Sequence, residues 1–310
     1  MDGRTEQAKR QWALLFQLRG TACAPEGVSL TTVTERTRIA LVGDSFTFGE
    51  DVAYEDTWGH LLEQALGSDA QVLNAGVGSY GLDQAFLRYN EDVRRWSPKV
   101  VILSFISADV VRTMSVYPFI AAPHWQIPFS KPRLVLRDGG LHTLNIPPVA
   151  PEAIFSKGSI SELPFLEQDK GYIDSQWLQN SAQLSYLARA FMTLFPRWSP
   201  VLSDVSDETL VTLNASILKA FIGSVSETGA IPMVVYFPRE ELERPNLSLP
   251  LGKRVLQHAG IDYTDVTPCL LEVEPNNRFA LGGHYSPKGN AAVTKCLTEV
   301  VRQAVAGSSS

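Results

Sequence analysis

The sequence predicts a doubly wound α/β fold: a parallel sheet between two layers of helices. Three observations carry that prediction. Short runs of strand length alternate with stretches of helical periodicity. The main runs are apolar at nearly every residue, as strands covered on both faces must be. The order is strand, turn, helix, strand, and parallel neighbours need such a crossover between them.

The elements follow in order. Residues 7 to 18 place Ala8, Trp12, Leu15 and Phe16 near one helical face, so residues 1–36 read as an N-terminal docking segment. Arg38 to Val42 is the first buried strand and stops at Gly43. Trp58 to Leu66 is a helix with Asp56 and Thr57 as capping candidates. Gln71 to Leu73 is a second strand, Leu82 to Trp96 a helix, and Val100 to Phe105 a third strand. The alternation then lapses into a proline-rich insertion at about 112–205. Inside it, Arg133–Leu136 and Leu141–Leu144 flank Asp138-Gly139-Gly140 and read as a β-hairpin. Helices are expected over 175–195 and 207–228, a strand over 233–237, a helix over 251–259, a short strand over 262–266 and a last helix over 287–304. The main domain is therefore expected to span 37–306.

Composition narrows the function. Hydrophobic residues make up 45% of the 310 and charged ones 19%, which suits a large core and excludes a disordered chain. The 27 basic residues do not exceed the 33 acidic ones, so no basic surplus exists to meet a nucleic-acid backbone. Cys23, Cys269 and Cys296 are too scattered for a zinc site or a disulfide framework. One bridge is arithmetically possible, but buried thiols are the expectation. No apolar run approaches the roughly 20 residues of a membrane span, and none is expected. The opening residues show no apolar stretch behind a basic head, so the chain as written reads as cytoplasmic, or as extracytoplasmic if a targeting segment has been removed. No cofactor and no metal are expected. The run Gly76-Val77-Gly78-Ser79-Tyr80-Gly81 brings its third glycine one residue too soon for a dinucleotide loop, and no His/Asp/Glu set has ligand spacing. Oligomeric state is not legible.

The most informative stretch is Gly43-Asp44-Ser45, directly after the first buried strand. Ligands of open α/β sheets collect at the carboxyl ends of the strands, so Ser45 stands where chemistry is usually done, although a serine there is also a common helix cap. With Gly43-Asp44-Ser45, three further blocks occur in order: Asn74 to Gly81, Val101 to Asp109, and Gly283-His284-Tyr285-Ser286-Pro287. Together they resemble the signatures of the GDSL/SGNH hydrolase family over roughly residues 37 to 304.

That resemblance implies a flavodoxin-like three-layer sheet and a serine esterase or acyltransferase. It makes Ser45 the nucleophile and His284 the base; a serine hydroxyl needs such a base, and imidazole is the side chain that ordinarily supplies one near neutral pH. It implies an oxyanion hole from the backbone N–H groups of Ser45 and of Gly78 or Ser79. Two departures stand out. Ala108 occupies the place of the family's asparagine donor, with Ser107 the nearest substitute. Leu281 occupies the place of the family's aspartate, and Gly282 follows it, so the imidazole would be held by the Ala280 carbonyl or by a distant Asp265 or Glu274. The pair would then work as a dyad. Asp44, Ser107, Asp109 and Trp125 are candidate substrate contacts, and the aromatics Tyr117, Phe119, Trp125 and Phe129 form either a substrate wall or a satellite core. The expected partner is a small-molecule or glycan ester. Three readings follow: an ester hydrolase of an O-acylated carbohydrate or small natural product, an O-acyltransferase on the same scaffold, or a glycan-binding module with a degraded site.

Overall fold

The computed structural model describes residues 36–121, 129–169, 207–239, 242 and 249–307. The helices expected over 7–18 and 175–195, and the residues Cys23 and Trp125, lie outside them. The chain divides into two compact units, Met1–Val111 with Asn214–Ser310, and Arg112–Leu213.

The first unit holds five parallel strands. β1 (Thr37–Gly43) is flanked by β2 (Ala70–Asn74) and β3 (Val100–Phe105), and the order across the sheet is β2, β1, β3, β6 (Ile231–Tyr236), β7 (Thr264–Asp265). With the strands of a separate hairpin left aside, this is the 2-1-3-4-5 order of flavodoxin-like folds, and its switch point lies between β1 and β3. Ile39 to Val42 and Val100 to Leu103 are fully buried, as their unbroken apolar character requires. Ile39, Leu41 and Ile102 face a cluster with Trp58 and Leu62 of α2 (Trp58–Leu66) and Val293, Leu297 and Val301 of α10 (Pro287–Gly307). The intervening residues face the other way. α1 is the single turn Ser45–Phe48 that follows β1.

Boundaries moved where local chemistry outweighs periodicity. The helix expected over 82–96 is α3 (Leu82–Glu91) followed by a tighter 3₁₀ turn, Val93–Trp96, which turns Val93 into the core. β6 begins two residues earlier than expected and takes in Pro232. Ile231 donates its N–H to Lys99 on the β3 side, so the nitrogen of Pro232 faces the other edge, where β7 pairs only with Val235 and Tyr236. The ladder has no bond there for proline to lose.

α7 (Asp207–Ser226) corrects the statement that no run is long and apolar enough for a membrane. By length and composition Glu208–Ser226 passes. Its apolar side chains nevertheless have protein partners: Phe221 is fully buried and meets Phe86 and Tyr89 of α3 edge-on, with ring centroids 6.5 and 5.8 Å apart.

The cysteine expectation is also corrected. Cys269, on α9 (Thr267–Leu271), and Cys296, on α10, form a disulfide with their Cα atoms 6.0 Å apart. The sequence separation of 27 gave no hint of it, because the fold is what lays α9 against the last helix. Closing a loop of that size should stabilise by about 3.5 kcal/mol in the chain-entropy account. Cys296→Ser, or reduction by dithiothreitol, is therefore expected to lower the melting temperature by several degrees, checked by calorimetry with and without reductant.

The second unit carries α5 (Pro118–Ala121), the hairpin of β4 (Arg133–Arg137) and β5 (Gly140–Leu144), and α6 (Pro151–Phe155). Asp138 and Gly139 form its two-residue turn, both at positive φ, as the tight hairpin requires. Of the proposed aromatic wall, Tyr117 and Phe129 are buried. Tyr117 clusters with Val116, Ile154, Leu163 and Leu166, and Phe119 meets it edge-on at 5.8 Å. Burial pushes the Tyr117 phenol up to about 12, and its hydroxyl donates to the Pro164 carbonyl. The buried Asp169 carboxylate accepts from the N–H groups of Val116 and Tyr117 and from Ser115 Oγ, tying the start of the cluster to its end. Tyr117 and Phe119 are satellite core, and Phe129 is buried.

Candidate active site

The site lies within the first unit, at the carboxyl ends of β1 and β3 and their helix connections. The chain leaves β1 at Gly43 and Asp44 and enters α1. Asp44 is 1% exposed and its Oδ1 accepts the Phe46 N–H at 3.0 Å, so it caps the turn. Gly49 closes α1 in the left-handed conformation, at φ 91°, and returns its N–H to the Ser45 carbonyl. The chain then doubles back through Glu50 and through Asp51 at φ 73°.

The last block arrives from the other side. Residues 279–285 form a tight loop in which Ala280 N–H donates to the His284 carbonyl and Gly283 N–H to the Ala280 carbonyl. Asn290, buried in α10, fixes its far end by donating to the Tyr285 and Ser286 carbonyls and accepting the Trp58 N–H. The imidazole of His284 leans on the Phe46 ring, centroids 4.8 Å apart.

These elements bring three side chains into line. His284 Nε2 lies 2.8 Å from Ser45 Oγ, and Nδ1 lies 2.7 Å from Asp51 Oδ2. The His284 N–H also points to Asp51 Oδ2, at 3.4 Å. The hydrogen bond from His284 holds the Asp51 carboxyl below its ordinary value of 3.8, against a weaker upward push from burial. The dyad expectation is overturned: the imidazole has a carboxylate, supplied from the serine's own turn and not from the histidine's loop. None of the three orienting groups considered serves. The Ala280 carbonyl accepts from Gly283. Asp265 pairs with Lys253 at 2.9 Å and accepts from Thr267, and Glu274 is an exposed loop residue.

One signal of this was in the sequence. Gly282 carries no acid, yet a Cβ there would stand 2.0 Å from Asp51 Oδ2. The glycine leaves the space that the carboxylate fills.

The second block is held against α1. Asn74 Nδ2 donates to the Thr47 carbonyl at 2.8 Å, its Oδ1 accepts the Gly76 N–H, and Val77 N–H donates to the Gly43 carbonyl. Gly76 packs so closely that a Cβ there would meet Phe48 N at 2.5 Å. Gly78 and Ser79 follow directly, with Ser79 at φ 66°.

The third block engages both of its polar candidates within the protein. Ser107 is buried, its hydroxyl 3.0 Å from the Tyr236 hydroxyl and accepting the N–H of Gly252 on α8 (Leu251–Ala259). Asp109 is 2% exposed and reaches back to the Ile106 N–H at the start of α4 (Ser107–Arg112), half of a capping box. Ala108 lines a small hollow with Ile106, Ser107 and Arg239. Arg239, which the sequence did not single out, runs beside Gly283: a Cβ there would stand 3.2 Å from Arg239 Nη2. Trp125 lies outside the described residues, and among the described residues no three His, Cys, Asp or Glu side chains gather as a metal site.

No family model matches the sequence, and no curated protein does. Solved structures of GDSL-family hydrolases resemble the chain over most of its length. One, assigned to the G-D-S-L lipolytic family of Desulfitobacterium hafniense, is 14% identical, with 86% of this chain and 99% of that one covered and a TM-score of 0.44. A lipase/acylhydrolase from Enterococcus faecalis is 12% identical, with 85% and 94% covered and a TM-score of 0.44. A variant of an acetyl-xylooligosaccharide esterase from Geobacillus is 11% identical, with 85% and 93% covered and a TM-score of 0.44.

Proposed function

We propose that the protein is a serine-dependent carboxylic-ester hydrolase acting on an O-acylated carbohydrate or small natural product. The observation that carries the reading is the unbroken chain Ser45 Oγ, His284 Nε2, His284 Nδ1, Asp51 Oδ2, with contacts of 2.8 and 2.7 Å. A nucleophile bonded to a base that is itself oriented by a third group is the arrangement of covalent acyl transfer. A glycan-binding module would need none of the three.

In the first half-reaction Ser45 Oγ attacks the ester carbonyl while its proton passes to His284 Nε2. The carbonyl π electrons move onto oxygen, and the oxyanion is received by the backbone N–H groups of Ser45 and of Gly78 or Ser79. Collapse expels the alcohol oxygen, which takes the proton from Nε2 and leaves an acyl-enzyme. Water then repeats the sequence, losing a proton to Nε2, and the acid departs with Ser45 restored. Asp51 keeps the imidazole in the tautomer with its proton on Nδ1 and stabilises the imidazolium formed in each half. An alcohol in place of water would make the same site an acyltransferase.

A serine-directed fluorophosphonate tests this directly. Intact mass should rise by one adduct in the wild type and stay unchanged in Ser45→Ala. An adduct that persists in Ser45→Ala would overturn the assignment.

The side chain at position 108 gives a second prediction. Ala108 offers no donor, and a missing oxyanion donor typically costs about 10²–10³ in rate. Ala108→Asn is therefore expected to raise kcat on acetate esters by about tenfold or more with KM little changed, since the new donor would act on charge that develops only in the transition state. Steady-state kinetics of the two proteins checks it.

A further inference from the structure

Glu50 follows the nucleophile turn and has no place in the chemistry above. Its Oε2 lies 3.7 Å from His284 Nε2, on the ring nitrogen opposite the one that Asp51 holds. It also overhangs the second block, where a Cβ on Gly78 would meet the same oxygen at 3.5 Å. The side chain is 52% exposed and forms an ion-pair contact with the imidazole. Asp51, by contrast, is 28% exposed and receives two hydrogen bonds. An aliphatic stem that carries a half-exposed carboxylate to the mouth of the site has acceptor capacity to offer a ligand.

What that ligand group must be follows from the reaction. The departing alcohol oxygen has to come within hydrogen-bond distance of Nε2 to take its proton. Glu50 Oε2 stands just beyond that distance from the same nitrogen, within reach of a group carried next to the departing oxygen. A hydroxyl on the carbon next to the one that bears the ester oxygen lies, when the two oxygens are gauche, about as far from that oxygen as a hydrogen-bond partner does. It would therefore fall between the leaving oxygen and the carboxylate, with its proton available to Glu50.

Resting on the hydrolase reading, the geometry points to Glu50 as the residue that selects the alcohol, by accepting a hydrogen bond from a hydroxyl vicinal to the ester. The substrate class is then the monoester of a vicinal diol, such as an O-acylated sugar. The same charge disfavours alcohols that carry a carboxylate or phosphate beside the ester.

The test compares 2-hydroxyethyl acetate with 2-methoxyethyl acetate, two esters alike in size and differing in the donor. A hydrogen bond to a charged group supports a preference for the hydroxyl ester of about tenfold or more in kcat/KM for the wild type. Glu50→Ala should bring that ratio close to one. Glu50→Gln, which keeps an acceptor oxygen without the charge, should leave an intermediate ratio. A ratio that is the same in wild type and Glu50→Ala overturns the assignment of Glu50 while hydrolysis itself stands. If the wild type cleaves neither ester and Ser45 takes no fluorophosphonate, the hydrolase reading falls and Glu50's role with it.

Discussion

Ser45→Ala is expected to lower kcat by about 10⁶ while leaving the fold intact. The size of the loss follows from what the serine and its base do together: they form one proton-transfer unit, and removing either member removes the covalent path. His284→Ala should therefore cost nearly as much as Ser45→Ala, and the double variant little more than either alone. Independent contributions would instead multiply. The fold should persist because Ser45 starts a turn whose cap is the Asp44 side chain and whose close is Gly49, neither of which needs the hydroxyl. Burst kinetics on a chromogenic acetate, with circular dichroism as the control for folding, measure all three proteins. A multiplicative double variant would show that the contact between Ser45 Oγ and His284 Nε2 is not one catalytic unit.

The sheet was legible because its strands are buried on both faces, which leaves unbroken apolar runs at β1 and β3. β7 was harder. It contributes two paired residues, Thr264 and Asp265, and so short a ladder depends on its neighbour β6 more than on its own sequence. The disulfide was hidden for a similar reason: Cys269 and Cys296 meet through helix packing, which spacing along the chain does not encode.

The site divides the same way. Ser45 and His284 sit in dense local patterns, each beside glycines and a helix start, so their types and order can be read directly. The rest depends on which groups turn toward which. Ser107 and Asp109 have the right chemistry next to the right position, yet α4 spends both on its own start and on Tyr236 and Gly252. Asp51 lies six residues after the serine and more than two hundred before the histidine, so spacing around His284 does not point to it. A left-handed residue at Gly49 and another at Asp51 reverse the chain, and only the folded turn shows that the acid after the serine reaches the imidazole.

Asp51→Asn is the prediction that bears most directly on that finding. An amide can present its NH₂ to Nδ1, which favours the tautomer with the proton on Nε2, and a nitrogen so protonated cannot take the proton of Ser45. The expected loss is about 10⁴ in kcat with KM nearly unchanged. Gly282→Ala approaches the same contact from the other side, since its Cβ would fall 2.0 Å from Asp51 Oδ2 and the carboxylate must leave its place. That variant should lose a large part of the same activity, and combining it with Asp51→Asn should add little, because both remove one interaction. The pH dependence has a definite sign. The bond from His284 keeps Asp51 ionised below the ordinary aspartate value of 3.8, so the carboxylate is in place above that pH and is lost only as pH falls through its depressed value. Any acid limb of kcat/KM at higher pH then belongs to another group, and the pH profile of the wild type should show no inflection from Asp51 between pH 4 and pH 7. Full activity in Asp51→Asn, or an additive loss with Gly282→Ala, would mean that the 2.7 Å contact orients nothing the reaction uses.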